Sequence, residues 1–422
     1  MNVAIAPSLP AGVSAVRARL LFCLCAMGLG FATSSASATP TSQQLIAWGE
    51  AVYGTTASSL LVPGGNGLFA EIAHSNGTQS GGDSGFSYVW PAATQMRAYD
   101  DLVRIDPVTY TPVLLNFSNQ LYTHYWSASG GYRSGVSAGA TQFYDDNAHM
   151  AVALAQAYQI TGNATYLIRA QNTYNFVLSG EDDSPQSGGG GIYFNTDRSF
   201  KDSAATLQGA RAALLLYEST GQQKYLTDAT RLYTWEKNTL QQSDGLFQEK
   251  YYVTGPQAGT ISTTTLVNFT GMGISDNVQF YKATHNAAYL TEAERIANRS
   301  LTRFFNITTG AIQDEGFWSF ELVTALDDLY EQDKNVKWLQ ATQTAMQWLR
   351  DNGQDPNGHY ATLWGRGGNI SGSRLIYWDD NDQVGPMVAY LDTGLTQVPE
   401  PAGLVVGFAG LAITLLRRSR RK

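Results

Sequence analysis

Four stretches of this chain repeat one pattern. AYQITGNATYLIRA from 157, LYESTGQQKYLTDA from 216, FYKATHNAAYLTEA from 280 and LYEQDKNVKWLQAT from 329 each set one aromatic eight residues after another: Tyr158 and Tyr166, Tyr217 and Tyr225, Tyr281 and Tyr289, Tyr330 and Trp338. A short polar turn lies between the two rings, so each copy reads as the end of one helix and the start of the next. A weaker copy runs from Leu102 through Asp106-Pro107 to Tyr110. The four copies are spaced 49 to 64 residues apart, room for two helices and one longer loop. Further helices expected around 42–53 and 381–392 bring the total to about twelve, or six helical hairpins. Six hairpins most simply close into an all-α (α/α)6 toroid, with an inner ring of helices inside an outer one. An open superhelix would need capping repeats, and none is identified.

In such a toroid the long loops enter the inner helices on one face, where their residues converge. Those residues are Tyr88 and Trp90; Asp145 and Asp146; Lys201 and Asp202; Asn268; Asp314, Glu315 and Trp318; and Trp378, Asp379 and Asp380. The run Gly188-Gly189-Gly190-Gly191 is followed by no GK[ST] and opens onto no helix. It reads as a loop that brings Tyr193 and Asn195 to a cleft rather than as a phosphate cradle.

Phe143-Tyr144-Asp145-Asp146-Asn147-Ala148-His149-Met150 is the stretch that carries chemistry. Apolar residues at helical spacing follow it, so the paired carboxylates fall in the cap or first turn of a helix. Aspartate there commonly does no more than cap orphan amides. Two carboxyl groups held close can also divide labour, one ionised and one protonated, as glycoside hydrolysis requires. Asp379-Asp380 opens another expected inner helix and is the second candidate pair. His149 reads as a cleft-wall or core residue. Lys201 reads as a ligand for sugar hydroxyls or as half of an ion pair. Trp90, Tyr144, Tyr193 and Trp318 are stacking candidates, with core packing the alternative for each. The five histidines show no metal-ligand spacing, so no metal or other cofactor is expected.

Both ends of the chain read as processing signals. Arg17 and Arg19, the apolar run LLFCLCAMGLGFA and Ala36-Ser37-Ala38 form an expected secretion signal over 1–38, cut by signal peptidase. The two cysteines, Cys23 and Cys25, lie within it, so a chain starting near Thr39 has no thiol. At the other end Val398-Pro399-Glu400-Pro401 precedes fifteen apolar residues, Ala402 to Leu416, and then a basic tail. As a helix that run rises about 22 Å, short for a bilayer core of about 30 Å. The arrangement over 398–422 resembles the PEP-CTERM sorting signal of bacterial proteins processed by exosortase. It implies export across the inner membrane of a Gram-negative-type bacterium, transient anchoring by a short transmembrane helix, and an extracellular or cell-surface destination. Setting both ends aside leaves 20 basic residues against 34 acidic ones, a net charge near −14. That balance argues against nucleic acid or a polyanionic partner.

Between the signals, over 39–397, the combination from 86 to 300 resembles glycoside hydrolase family 76, the α-1,6-mannanases. The matching residues are Trp90, then Asp145-Asp146-Asn147-Ala148 leading to AYQITGNATYL. GGGGIYFN, Phe200-Lys201-Asp202, LYESTGQQKYL and Asn268-Phe269-Thr270-Gly271 leading to FYKATHNAAYL follow in the family's order. The resemblance implies an (α/α)6 toroid and a retaining hydrolase acting on a polysaccharide. Asp145 would then be the nucleophile and Asp146 the acid/base. Apart from the resemblance, Trp90, Tyr144, His149, Tyr193, Asn195, Lys201, Asn268 and Trp318 are read from their place at the mouth as expected substrate contacts. The chain departs from the family pattern at Ala148-His149, at Gly191-Ile192-Tyr193-Phe194 and at Glu315-Gly316-Phe317-Trp318. Two other readings stay open: another sugar-active toroid (a uronyl hydrolase, lyase or epimerase), and a non-catalytic glycan-binding surface protein.

Overall fold

The turns of the repeat explain why the helices end where they do. In a computed structural model, which describes residues 39–397, each turn is built on one residue in the left-handed region: Gly162, Gly221, His285 and Lys334. In every case the amide of that residue donates to the carbonyl of the first aromatic of the pair, Tyr158, Tyr217, Tyr281 or Tyr330. This is the αL helix stop. The next residue caps the following helix. The side chains of Asn163, Asn286 and Asn335 accept from an amide two residues on. The second aromatic then packs inward, and Tyr166, Tyr225 and Trp338 are buried.

Twelve α-helices occur among the described residues. They are α1 (Ser42–Leu60), α2 (Val89–Ile105), α3 (Pro107–Tyr125), α4 (Tyr144–Thr161), α5 (Ala164–Leu178), α6 (Ser203–Thr220), α7 (Gln223–Thr239), α8 (Val267–Thr284), α9 (Ala287–Phe304), α10 (Gly316–Asp333), α11 (Val336–Asn352) and α12 (Asp380–Thr396). The first and last run longer than the sequence suggested. The even-numbered helices touch one another in order, α2 to α4 and onward to α12, and α12 touches α2. That is the closed inner ring. Each packs on the outer helix that follows it, except α12, whose outer partner is α1, where Ser42 Oγ donates to the Gly394 carbonyl at 2.8 Å. The chain therefore forms the expected (α/α)6 toroid.

Inner and outer helices differ in burial as the ring demands. Every residue of α6 from Ser203 to Leu216 is buried, as is every residue of α8 from Val267 to Phe280. Outer helices bury a single stripe. Close approach within the inner ring falls to glycine: a Cβ on Gly271 of α8 would stand 2.6 Å from the Glu321 carbonyl of α10.

Short loops join the helices at one end of the toroid and long loops at the other. Five short strands, which the sequence reading did not foresee, lie in those long loops. Strands β1 (Ile72–His74), β2 (Gln79–Ser80) and β5 (Tyr377–Asp379) form one antiparallel sheet in the order β2-β1-β5, with Ile72 opposite Asp379. Strands β3 (Phe200–Asp202) and β4 (Lys250–Tyr252) form the other, with Lys201 opposite Tyr251. They brace the mouth into which the inner helices open. Residues 1–38 and 398–422, where the secretion and sorting signals were expected, lie outside the described residues. Among the described residues no helix is long and apolar enough to cross a membrane.

Candidate active site

The inner helices begin at the mouth, and their first turns carry most of the residues singled out from the sequence. Trp90 is the second residue of α2, Asp145 and Asp146 are the second and third of α4, and Asn268 is the second of α8. Trp318 is the third residue of α10, and Lys201 and Asp202 directly precede α6. The paired aspartates do not cap α4 in the ordinary way, since its N-cap is Phe143 and no side chain fills that role. Instead the amides of Tyr144 and Asp145 donate to the Phe194 carbonyl, at 2.9 and 3.3 Å. The loop before β3 thus meets two of the orphan amides, and neither carboxyl group is used as a cap. The capping explanation does not apply here.

Around the pair the mouth combines aromatic and polar surface. The Trp90 ring lies 6.3 Å from that of His149 and 5.7 Å, edge-on, from Phe317, which in turn lies 4.9 Å from Trp318. Trp90 Nε1, Asp145 Oδ1 and Asn268 Oδ1 are sheltered polar atoms with no protein partner. The Asp145 side chain keeps 16% of its exposure, so it is reachable from the mouth.

Burial sets the electrostatics. It pushes Asp145 well above the usual carboxylate range, reinforced by the charges of Asp202, Asp146 and Glu321. Burial alone raises Asp146 to about 7. Burial thus favours the protonated form of each carboxyl near neutral pH. Asp202, which caps α6 by accepting from Ala204 and Ala205, is likewise raised to about 7, chiefly by burial.

Beneath the pair sits a charged network that sequence reasoning missed. Glu321 of α10 is buried, yet its carboxyl is held below its ordinary value. Burial opposes ionisation, but the charges of Arg97 of α2 and Arg211 of α6 outweigh it. Arg97 Nη1 lies 2.7 Å and Arg211 Nη1 3.6 Å from the Glu321 carboxylate, and Gln208 Nε2 donates to Glu321 Oε1 at 3.0 Å. In sequence these residues are isolated polar positions inside apolar helices. The only signal was a charge where the helical pattern called for a core residue.

Several expected substrate contacts serve the protein itself. Lys201 is inaccessible, and its ammonium donates to the main-chain carbonyls of Asp182 and Gly190. It anchors the glycine loop from inside rather than reaching for sugar. Tyr193 is also buried, its hydroxyl donating to Asp182 Oδ2 at 2.9 Å. Tyr144 stacks on Phe176 at 5.0 Å, under Gly180, where any Cβ would strike its ring. Asn195 is half-buried and its side chain accepts from the Asp197 amide. All four glycines of the run 188–191 have positive φ, and a Cβ on Gly190 or Gly191 would collide with the Trp235 indole. Close packing under Trp235 explains Gly190 and Gly191, close packing on Tyr251 explains Gly188, and at Gly189 the positive φ alone calls for glycine.

The runner-up pair is placed differently. Asp379 caps α12 by accepting from the Asn381 amide, and Asp380 is buried. A groove of about 780 Å³ runs along α7 beside the glycine loop and includes neither pair. Among the described residues no group of three or more His, Cys, Asp or Glu side chains is arranged to hold a metal ion.

A closed double ring of helices, with a free carboxyl pair where the inner ring opens, is the framework of a sugar-active (α/α)6 toroid. The chain belongs to glycosyl hydrolase family 76, whose model matches residues 68–315. Solved structures share the fold. An α-mannanase of that family from Bacteroides thetaiotaomicron is 24% identical with a TM-score of 0.75, over 83% of this chain and 95% of its own. The α-1,6-mannanase of a Salegentibacter species is 19% identical with a TM-score of 0.70, over 83% and 99%. An inactive variant of that enzyme, with two adjacent aspartates replaced by asparagine, is known in complex with α-1,6-mannotriose; it is 19% identical with a TM-score of 0.71 over the same shares. No curated protein matches the chain.

Proposed function

We propose that the protein hydrolyses an α-linked, mannan-like polysaccharide, possessing α-1,6-mannosidic bonds, with retention of anomeric configuration. The observation that carries this reading is the pair Asp145–Asp146, uncapped in the first turn of α4 at the mouth of the inner ring. Asp145, ionised, attacks the anomeric carbon while Asp146 gives its proton to the departing glycosidic oxygen. A glycosyl ester on Asp145 results. Asp146, now a carboxylate, takes a proton from water, whose oxygen displaces Asp145 and restores both groups. Trp90, Phe317 and Trp318 offer apolar faces to sugar rings, and the unpartnered Trp90 Nε1 and Asn268 Oδ1 offer a donor and an acceptor to hydroxyls. Two adjacent aspartates whose replacement leaves the Salegentibacter enzyme inactive support the assignment.

Export fits a polymeric substrate that cannot enter a cell, and the readings of residues 1–38 and 398–422 as secretion and exosortase signals belong to this proposal. The test is incubation with unbranched α-1,6-mannan, with the anomeric configuration of new ends followed by proton NMR. Retained α ends are expected. Inverted ends would refute the mechanism, and an untouched polymer would refute the substrate.

A further inference from the structure

The carboxyl pair needs one member ionised; burial opposes charge on both, and the charges of Asp202, Asp146 and Glu321 oppose it further on Asp145, so the attacking group needs a contact that favours its charge. What singles out Asp145 lies one helical turn along α4. His149 Nε2 stands 3.6 Å from Asp145 Oδ1, the same oxygen that has no other protein partner. We propose that His149 is a positioning residue, a neutral imidazole whose Nε2–H turns to Asp145 when glycan binds and holds that carboxylate, rather than Asp146, in the attacking state. The inference rests on the assignment of Asp145 as nucleophile.

The network below dictates which ring nitrogen carries the proton. Glu321, ionised against Arg97, can only accept a hydrogen bond, so it draws the amide nitrogen of Gln208 to 3.0 Å. The same nitrogen lies 3.4 Å from His149 Nδ1 and can only donate. Glu321 Oε1 also lies near Nδ1, at 3.7 Å, but the Gln208 nitrogen is closer and takes up the Nδ1 lone pair, which places the hydrogen on Nε2, facing Asp145. Burial, with help from Arg97 and Arg211, lowers the ring to about 4, although Glu321 pulls the other way, so it stays neutral in ordinary buffers. An N–H aimed at a carboxylate favours its ionised form. The 3.6 Å separation is longer than a hydrogen bond, and contacts of this kind commonly tighten only in the substrate complex. The charged groups that bear on the Asp145–His149 contact are Asp146 from α4, Asp202 before α6, Glu321 from α10, Arg97 from α2 and Arg211 from α6.

The experiment compares His149→Phe, which keeps the ring and loses the donor, with His149→Gln, whose amide can supply an N–H at the same bond count. Both are assayed on α-1,6-mannan and on a dinitrophenyl α-1,6-mannobioside, beside Asp145→Asn. His149→Phe should lower kcat about 10²-fold on both substrates with little change in KM, the loss expected of a misplaced reacting group. The acidic limb of its pH profile should move up, because Asp145 loses a stabiliser of its charge. His149→Gln should recover most of the rate and return the limb. Equal losses in both variants with an unmoved limb would reduce His149 to packing and overturn the inference. A His149→Phe enzyme indistinguishable from the parent would do the same. If Asp145→Asn itself stays active, the nucleophile assignment fails, an outcome separable from either. Should His149→Phe not fold, nitrogen NMR of the parent decides: a neutral Nε2–H signal, lost in His149→Gln, supports the inference, and an Nδ1–H signal refutes it.

Discussion

Arg97 and Glu321 meet inside the inner ring, Nη1 2.7 Å from Oε1, with 5% and 1% of their side chains exposed. One comes from α2 and the other from α10, on either side of α12 in the ring. A buried pair of this kind adds little over a well-packed apolar pair, yet losing one partner strands a charge. Arg97→Met should therefore cost about 3–5 kcal/mol. The double variant Arg97→Met, Glu321→Met should recover much of that loss. Chemical denaturation of the three proteins measures it, and a nearly stable single variant would show that water reaches Glu321.

Asp145→Asn and Asp146→Asn should each remove most hydrolysis of mannan without unfolding the chain. Loss of proton donation alone is worth about 10²–10⁴ in rate. An activated aryl leaving group needs little protonation, so it should partly rescue Asp146→Asn and leave Asp145→Asn inactive. The parent should lose activity as pH rises past about 7, where Asp146 gives up its proton. With the activated substrate that limb should vanish in Asp146→Asn. Asp379→Asn and Asp380→Asn serve as controls: if they abolish turnover while the first two variants work, the wrong pair has been assigned.

Stability should fall as pH rises from about 4 to about 8 and level off above that. Asp146, Asp202, Asp379 and Asp382 are raised to about 7 and Glu236 to about 8, each chiefly by burial, from ordinary values of 3.8 and 4.5. The folded chain thus keeps protons that the unfolded chain has released. That contribution is complete below about pH 4 and is lost as pH rises through 7 to 8. His149 acts oppositely, since its ring is lowered to about 4 from 6.5, and it weakens the fold on acidification. Thermal unfolding across this range should show the decline, and Asp146→Asn should flatten it and melt higher at pH 8. A stability rising towards pH 8 would contradict this account.

Lys334 and His285 occupy the left-handed turn position that Gly162 and Gly221 fill elsewhere. For a residue with a Cβ that conformation costs about 1–2 kcal/mol. Lys334→Gly should return up to about 1 kcal/mol, and Gly162→Ala should lose a similar amount, although nothing crowds a Cβ there. Melting curves of both variants test the pair of signs together.

The toroid was legible because its period is written in short-range chemistry. Tyr158 and Tyr166 bracket one stop and one cap, each made within a few residues, and four copies repeat them. The position of the aspartate pair followed from helical spacing, and so did its company with Trp90, Asn268 and Trp318. What could not be read were choices made across the ring. Lys201 looked like a sugar ligand because nothing nearby in sequence shows that the Asp182 and Gly190 carbonyls await it. Glu321 drew no notice because its two arginines lie 224 and 110 residues away. The strands at the mouth were missed for the same reason: β1 and β5 are three residues each and find one another only after the ring has closed.

The pairing of α1 with α12 has a consequence for how the molecule comes into being. The hairpin that seals the ring joins the first helix to the last, so it cannot form until residues 380–396 exist. Until then α2 and α10 each present an unpartnered flank, and α1 has no mate. Contacts so far apart along the chain are slow to find and leave greasy edges on show meanwhile. The ring is thus closed by the last of its twelve described helices to be synthesised. A chain shortened within α12 would lose its closure rather than a dispensable end, whereas a chain with its ends joined beside Ser42 and Gly394 and opened in one of the short turns should still make the same ring.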